Sequence, residues 1–412
     1  MTTDAVAPSG APPSAPADNV RRNVLILAIC QALFMCVTTM AIATTPLAGH
    51  ALLGQDKSFA TVPLVLYHAG IMLMTIPASL LMGRLGRRAG FSIGAVMSII
   101  SGIISTVSIF EQNFYGLCAG ALLMGGSAGF AWYYRFAAAD AADEAYRPKA
   151  ISLVMAGGII AGLVGPQTAK YAVDWFNPIM FAGVYVLVIV YSVLSLLVIQ
   201  TLRIPRLKPE ERKSGGRPLH VIARQPTYIV AIISSMFGYG VMTLVMSATP
   251  LAMLACGFKF DASATVIQAH VVAMFLPSFF TGHLISRFGA LPIIAVGAII
   301  QIGCAAINLA GIDFMNFFLA NVLVGLGWNF TFVGGSSLLT KTYQPAERAK
   351  VQASHDFLVY LTTAAAAGLS GYLHAKVGWE VVNLAALPMM GIVIVAALGL
   401  YLAQSRTPKI AS

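Results

Sequence analysis

Two pairs of side chains in this sequence share one spacing. Met242 and Met246 stand four residues apart, and so do His270 and Met274. On a helix, residues four apart lie on one face. Thioether sulfur is a soft ligand that selects Cu(I), and imidazole also suits copper. All four groups are neutral. A site built from them holds a cation in an apolar medium without burying a carboxylate. A third pair, His68 with Met72, repeats the His-x-x-x-Met spacing and reads as an auxiliary site or a relic of duplication. The other reading of all these methionines is packing, because Met is a flexible filler of irregular gaps.

The elements that position these residues follow from composition. Of 412 residues, 58% are hydrophobic and 10% are charged, against roughly 25% charged in soluble domains. The chain reads as an integral membrane protein. A spanning helix takes about 20 mostly apolar residues. Twelve such stretches are predicted, over 23–49, 60–82, 90–110, 114–136, 150–170, 178–202, 226–253, 263–285, 290–310, 314–338, 352–374 and 379–404. With the N-terminus in the cytoplasm, Lys57, Lys170, Lys259 and Lys376 fall outside and the other 21 of the 25 Lys and Arg inside. That positive-inside bias places both termini in the cytoplasm. The net charge of +10 thus follows insertion rules, and nucleic acid is not expected as a partner.

Residues 1–20 read as a disordered cytoplasmic tail, 21–202 as a first six-helix bundle and 203–225 as a cytoplasmic linker. Residues 226–404 read as a second six-helix bundle and 405–412 as a second cytoplasmic tail. The five cysteines show neither disulfide nor zinc spacing. No catalytic constellation and no phosphate-binding loop occurs, which argues against an enzyme and against an ATP-driven pump.

The two bundles look like copies. Thr45-Pro46-Leu47-Ala48 returns as Thr249-Pro250-Leu251-Ala252, and the stretch from Gly83 to Gly90 is laid on the stretch from Gly282 to Gly289. Gly162 to Gly165 matches Gly368 to Gly371. Parallel repeats of this kind mark a transporter with its site near the bilayer midplane. At about 1.5 Å per residue, Met246 and His270 lie roughly 9 and 10 Å from the outer side, and Met242 and Met274 roughly 15 and 16 Å.

With these repeats in view, the chain resembles the major facilitator superfamily. The loop after the second helix resembles that family's G-x-L-x-D-R-x-G-R signature through Gly83, Leu85, Arg88 and Gly90, with Arg87 at the acid's place. Gly165-Pro166 resembles the core of its antiporter motif. The resemblance implies an all-α membrane fold of twelve transmembrane helices in two pseudo-symmetric six-helix bundles, and secondary transport by alternating access. The M-x-x-x-M and H-x-x-x-M pairs look like those of the CcoA-like copper importers. This implies copper imported to the cytoplasm as transported substrate, with no resident cofactor. Riboflavin transporters of the RfnT type are similar relatives. They give the alternative: uptake or efflux of riboflavin or another small organic solute, with Tyr239 and Asn329 as contacts. Asp356, Arg88 and Arg287 are candidates for gating or coupling. Arg135 and Asp140 are read as interfacial, with Trp132, Tyr133 and Tyr134 in an aromatic belt. The expected setting is the inner (plasma) membrane, with a multi-pass chain, the lipid bilayer and a small substrate or metal ion as partners, and a monomeric state.

Overall fold

The computed structural model describes residues 17–53, 59, 62–204, 216–258 and 260–406. The predicted tails over 1–16 and 407–412, and the linker residues 205–215, lie outside the described residues. The first helix begins at Ala17, inside the stretch expected to be a disordered tail.

Helices account for the architecture, and no strand occurs among the described residues. The first half contains α1 (Ala17–Leu52), α2 (Val62–Leu85), α3 (Arg87–Phe110), α4 (Phe114–Ala141), α5 (Arg147–Ala172) and α6 (Ala182–Ile199). The second contains α7 (Pro226–Ala255), α8 (Phe260–Phe275 continuing as Ser278–Phe288), α9 (Ala290–Ala310), α10 (Phe314–Leu339), α11 (Arg348–Lys376) and α12 (Trp379–Ser405). A short helix, Leu219–Ala223, precedes α7.

Eleven predicted spans coincide with helices long and apolar enough to cross a membrane. The twelfth, 352–374, lies within the 29-residue α11 but is less apolar. Its Gln352, His355 and Asp356 are buried, so this helix turns polar groups toward protein instead of lipid.

Packing repeats from half to half. In the first, α1 packs on α5, α2 and α3 on α4, and α3 on α6; in the second, α7 packs on α11, α8 and α9 on α10, and α9 on α12. The halves meet where α2 packs on α11 and where α8 packs on α5. Close approaches fix the register. A Cβ on Gly94 would stand 2.7 Å from the Phe130 Cβ, and one on Gly297 stands at the same distance from the Phe330 Cβ. Likewise Gly125 abuts the Tyr67 carbonyl and Gly325 the His270 carbonyl. Small residues let spanning helices approach to backbone contact.

This register corrects two sequence alignments. Tyr67, not His68, is the counterpart of His270, so the two His-x-x-x-Met pairs are not copies of one another. One residue along a helix turns a side chain to another face. Gly86 and Gly289, with φ of 92° and 86° and ψ of 161° and 162°, open α3 and α9 in the same positive-φ conformation. Gly86, not Gly90, therefore matches Gly289, and Arg84 is the counterpart of Arg287.

Two helices are interrupted. Pro277 lacks an N–H and breaks α8 after Leu276. Asn329 of α10 staples the break: its Nδ2 donates to the Met274 carbonyl and to Ser278 Oγ, both at 2.6 Å, and its Oδ1 accepts from Thr281 Oγ1 at 2.7 Å. The break in α4 falls at Trp132–Tyr133 and holds no proline. There Arg135 Nη1 donates to the Trp132 carbonyl at 2.6 Å, a side chain satisfying a carbonyl in the interrupted ladder.

Candidate functional site

The α4 break delivers Trp132 to the middle of the molecule, where rings from both halves converge. Trp132 lies 5.6 Å from Phe34 of α1, 6.2 Å from Tyr239 of α7, 6.1 Å from Phe332 of α10 and 5.8 Å from Tyr360 of α11, between centroids. Tyr239 also meets Trp328 at 5.4 Å and Phe332 at 5.3 Å. These are the separations at which aromatic pairs attract through their quadrupoles. Phe330 matches Phe130, so Phe332 is the counterpart of Trp132. Two equivalent residues in contact lie on the axis relating the halves. The ring cluster therefore stands on that pseudo-twofold axis.

A charged group underlies the rings. Arg135 of α4 and Asp356 of α11 form an ion pair at 2.5 Å, each with a side chain 1% exposed. His355 Nδ1 stands 2.7 Å from the same Asp356 Oδ1. A carboxylate only accepts, so this nitrogen carries a proton. The guanidinium lies 4.4 Å from the Phe136 ring and 4.7 Å from the Phe332 ring, within cation–π range. Several buried atoms of this group have no hydrogen-bond partner: Trp132 Nε1, Trp328 Nε1, Arg135 Nε, His355 Nε2, Asp356 Oδ2 and the Tyr360 hydroxyl. Burying such groups unpaired costs about 1–3 kcal/mol each.

Further contacts tie the halves toward the end of α2. Arg87 donates to Asp140 Oδ2 at 2.7 Å and to Gln352 Oε1 at 2.6 Å. Arg348 stands 3.4 Å from the same Asp140 oxygen. Ser79 Oγ donates to the Ala349 carbonyl at 2.7 Å. On the other face Ser152 of α5 donates to the Ser278 carbonyl, and Gly282 N donates back to Ser152 Oγ at 3.0 Å.

The residues singled out in the sequence are distributed as follows. His270 is fully buried; its Nδ1 meets the Asn321 carbonyl at 2.9 Å, and its Nε2 has no hydrogen-bond partner. Asn321 also donates to Thr249 of α7 at 3.1 Å. Met242 and Met274 belong to the main core, and Met246 packs half-buried against it. His68 Nδ1 stands 2.9 Å from the Leu64 carbonyl, and Met72 is half-buried. No cluster of three His, Cys, Asp or Glu that could hold a metal occurs among the described residues. Arg88 is exposed and donates to Gln200 Oε1 at 3.1 Å, and Arg287 is exposed beside the Phe288 ring. Asp356 is the one gating candidate inside the central group.

Three readings are corrected here. Trp132, Tyr133 and Tyr134 are core residues and not an interfacial belt, because α4 runs on to Ala141. Arg135 and Asp140 are likewise buried partners of the other half. Asn329 is fully buried, and its side-chain amide is committed to the α8 staple. Arg135 was legible in one respect, as a charge beside an apolar run, and such charges seek a partner of opposite sign.

A chain of spanning helices in two matching halves, with a buried polar and aromatic group on their common axis, has the build of a membrane transport protein. The sequence profile of the Major Facilitator Superfamily matches residues 27–309 and 231–412. The chain belongs to that superfamily. It is similar to the riboflavin transporter RfnT of Brucella anthropi, 39% identical over 377 residues, covering 91% of this chain and 94% of that protein. It is also similar to the uncharacterized MFS-type transporter YdeG of Bacillus subtilis, 27% identical, covering 86% of each. Among solved structures, the proton:xylose symporter XylE shares the fold at a TM-score of 0.78 and 15% identity, covering 96% of this chain and 97% of that one. FucP in its outward conformation does so at 0.74 and 17%, covering 92% and 99%. The riboflavin side of the expected resemblance thus finds a relative, and the copper-importer side finds no support in these matches. The chain is a multi-pass membrane transporter and not an enzyme.

Proposed function

We propose that this protein is a secondary transporter that takes up a flat organic solute of the riboflavin class, exposing the ring cluster alternately to the two sides of the membrane. One observation carries the reading: rings from α1, α4, α7, α10 and α11 converge on the pseudo-twofold axis. Aromatic faces stack on planar ligands, and a midplane site between repeats suits alternating access. The relation to a riboflavin transporter supports it. Asp356 serves in gating, since its pairing with Arg135 joins the halves directly beneath the rings. The charge bias of the loops supports a plasma-membrane orientation with both termini cytoplasmic. A single chain suffices, because both halves of the site come from it.

The copper reading keeps one observation, the unpartnered Nε2 of buried His270. Here Met242, Met246 and Met274 would supply the thioethers. Uptake in whole cells separates the two. Labelled riboflavin and labelled copper are measured with wild type, Tyr360→Ala, Met246→Ala and His270→Ala. Riboflavin uptake is expected to depend on the protein and to fall at least tenfold in Tyr360→Ala (about 1.4 kcal/mol). Copper uptake that depends on Met246 and His270, with no riboflavin uptake, would overturn the proposal.

A further inference from the structure

The unpartnered atoms beneath the rings have a definite polarity. Trp132 Nε1, Trp328 Nε1 and Arg135 Nε are all N–H groups, which donate and never accept. Asp356 Oδ2 is a carboxylate oxygen, which only accepts. These atoms are not scattered. Arg135 Nη2 holds Asp356 Oδ1, and Arg135 Nη1 holds the backbone of Trp132. A free carboxylate oxygen thus shares one hydrogen-bonded group with free donors on Arg135 and Trp132; His355 Nε2, an acceptor when only Nδ1 is protonated, and the Tyr360 hydroxyl, which can donate or accept, are unpartnered beside them.

That polarity disfavours several ligand classes. A cation, metal or organic, meets the Arg135 guanidinium and two indole N–H groups there, and the single carboxylate of the group, Asp356, is already paired with Arg135. A flat hydrocarbon would stack on the rings and leave every polar atom unpaired, the costly outcome in a dry interior. The pattern is satisfied by a neutral or anionic heteroaromatic whose edge presents an N–H between two carbonyl oxygens.

We infer that Asp356, Arg135 and Trp132 determine specificity by reading such an imide edge: Asp356 Oδ2 accepts the ligand N–H, while Arg135 Nε and Trp132 Nε1 donate to the flanking carbonyls. The inference rests on the ring cluster being the substrate site. It gives the ion pair a second role. Ligand N–H on Oδ2 and Arg135 on Oδ1 share the charge of one carboxylate, so recognition weakens the pairing that holds α4 to α11. A substrate that stacks but lacks the imide N–H leaves that contact as it is.

The test uses the purified full chain with two probes, riboflavin and 3-methylriboflavin, in which a methyl group replaces the imide hydrogen. Binding is read from quenching of flavin fluorescence. The wild type is expected to prefer riboflavin by about tenfold or more. In Asp356→Asn the amide oxygen still accepts from Arg135, and an NH2 replaces the free carboxylate oxygen. The preference is expected to fall to near one. Exclusion of the methyl group by shape alone would survive this isosteric change and would overturn the inference. Equal binding of both probes by the wild type overturns it too, needs no variant, and leaves the transport reading standing. Binding of neither probe overturns both.

Discussion

The halves of this molecule touch along two faces that the duplication made equivalent, and the two faces are built differently. Where α2, α3 and α4 meet α11, the contact is polar and charged: Ser79 to Ala349, Arg87 to Gln352, and Arg135 to Asp356. Where α8 meets α5, it is close-packed and carries neutral hydrogen bonds, from Ser152 to the Ser278 carbonyl and from Gly282 N to Ser152 Oγ. A Cβ on Gly282, the counterpart of Ser79, would lie 2.8 Å from the Lys149 Cα and 2.9 Å from the Pro148 carbonyl. The register that aligns α4 with α10 places Gly335 opposite Arg135. The buried ion pair therefore has no counterpart at that position on the other face. A steric contact can roll or slide with little change in energy, whereas a buried ion pair is made or broken. Under the alternating access proposed above, α4–α11 is the contact to be switched and α5–α8 the bearing.

The largest effect should come from removing charge on one side of that pair. Arg135→Ala or Asp356→Ala leaves a buried charge without its partner, a loss of about 3–5 kcal/mol. The melting temperature of the purified protein in detergent should fall sharply in each. Arg135→Leu combined with Asp356→Met makes the face apolar like its counterpart, and this double variant should melt above either single variant. Strictly additive losses would show that the pair is not a coupled unit.

The spans were legible in the sequence because each is a long apolar run, and the duplication was legible in Thr45 to Ala48 against Thr249 to Ala252. What was not legible was the register within the copies. Gly86 and Gly289 are equivalent by backbone conformation, and the sequence around Gly83 aligned just as readily four residues away. The site was hidden for a related reason. Trp132 and Arg135 sit where a helix of average length would end, so depth counted along the chain put them at the membrane surface. The α4 break and its continuation to Ala141 put them inside. The partners of Asn329 were hidden because they belong to the interrupted α8, and the consequence of Pro277 is three-dimensional. The α11 sequence held the signal most directly: His355 and Asp356 in a spanning stretch are costly unless they face protein.

A middle-sized effect tests the steric face. Gly282→Ala places a methyl group against the backbone of α5, and overpacking of this kind costs about 1–3 kcal/mol. Ser79→Ala at the equivalent position of the other face removes one hydrogen bond, about 0.5–1.5 kcal/mol. Gly282→Ala should also raise the reactivity of a cysteine placed at Lys149 toward a water-soluble maleimide, because the faces are pushed apart there. Ser79→Ala should leave that reactivity unchanged. A larger loss of stability in Ser79→Ala than in Gly282→Ala would reverse the assignment of bearing and switch.

The smallest effect concerns a contact that holds α11 in place from outside the membrane. Glu347, just before α11, accepts from Arg217 N at 2.7 Å, Arg217 Nε at 2.8 Å and Gln344 N at 2.9 Å, and pairs with Arg217 Nη2 at 2.7 Å. Gly216, at φ 58°, lies where a Cβ would strike the Glu347 Cγ. Hydrogen bonds from the Arg217 side chain, aided by the two backbone N–H groups, outweigh burial and pull the Glu347 carboxyl from 4.5 down to about 2. The folded value lies below the unfolded one, so the latch contributes fully above about 4.5 and is lost as pH falls toward 2. The Arg217 side chain is 41% exposed, so solvent screens the pair and the contribution is modest. The melting temperatures of wild type and Glu347→Gln should therefore differ by a small, constant amount from pH 8 down to the ordinary carboxylate range, and converge below it. A difference that changes between pH 8 and 6 would mean that another group sets the latch.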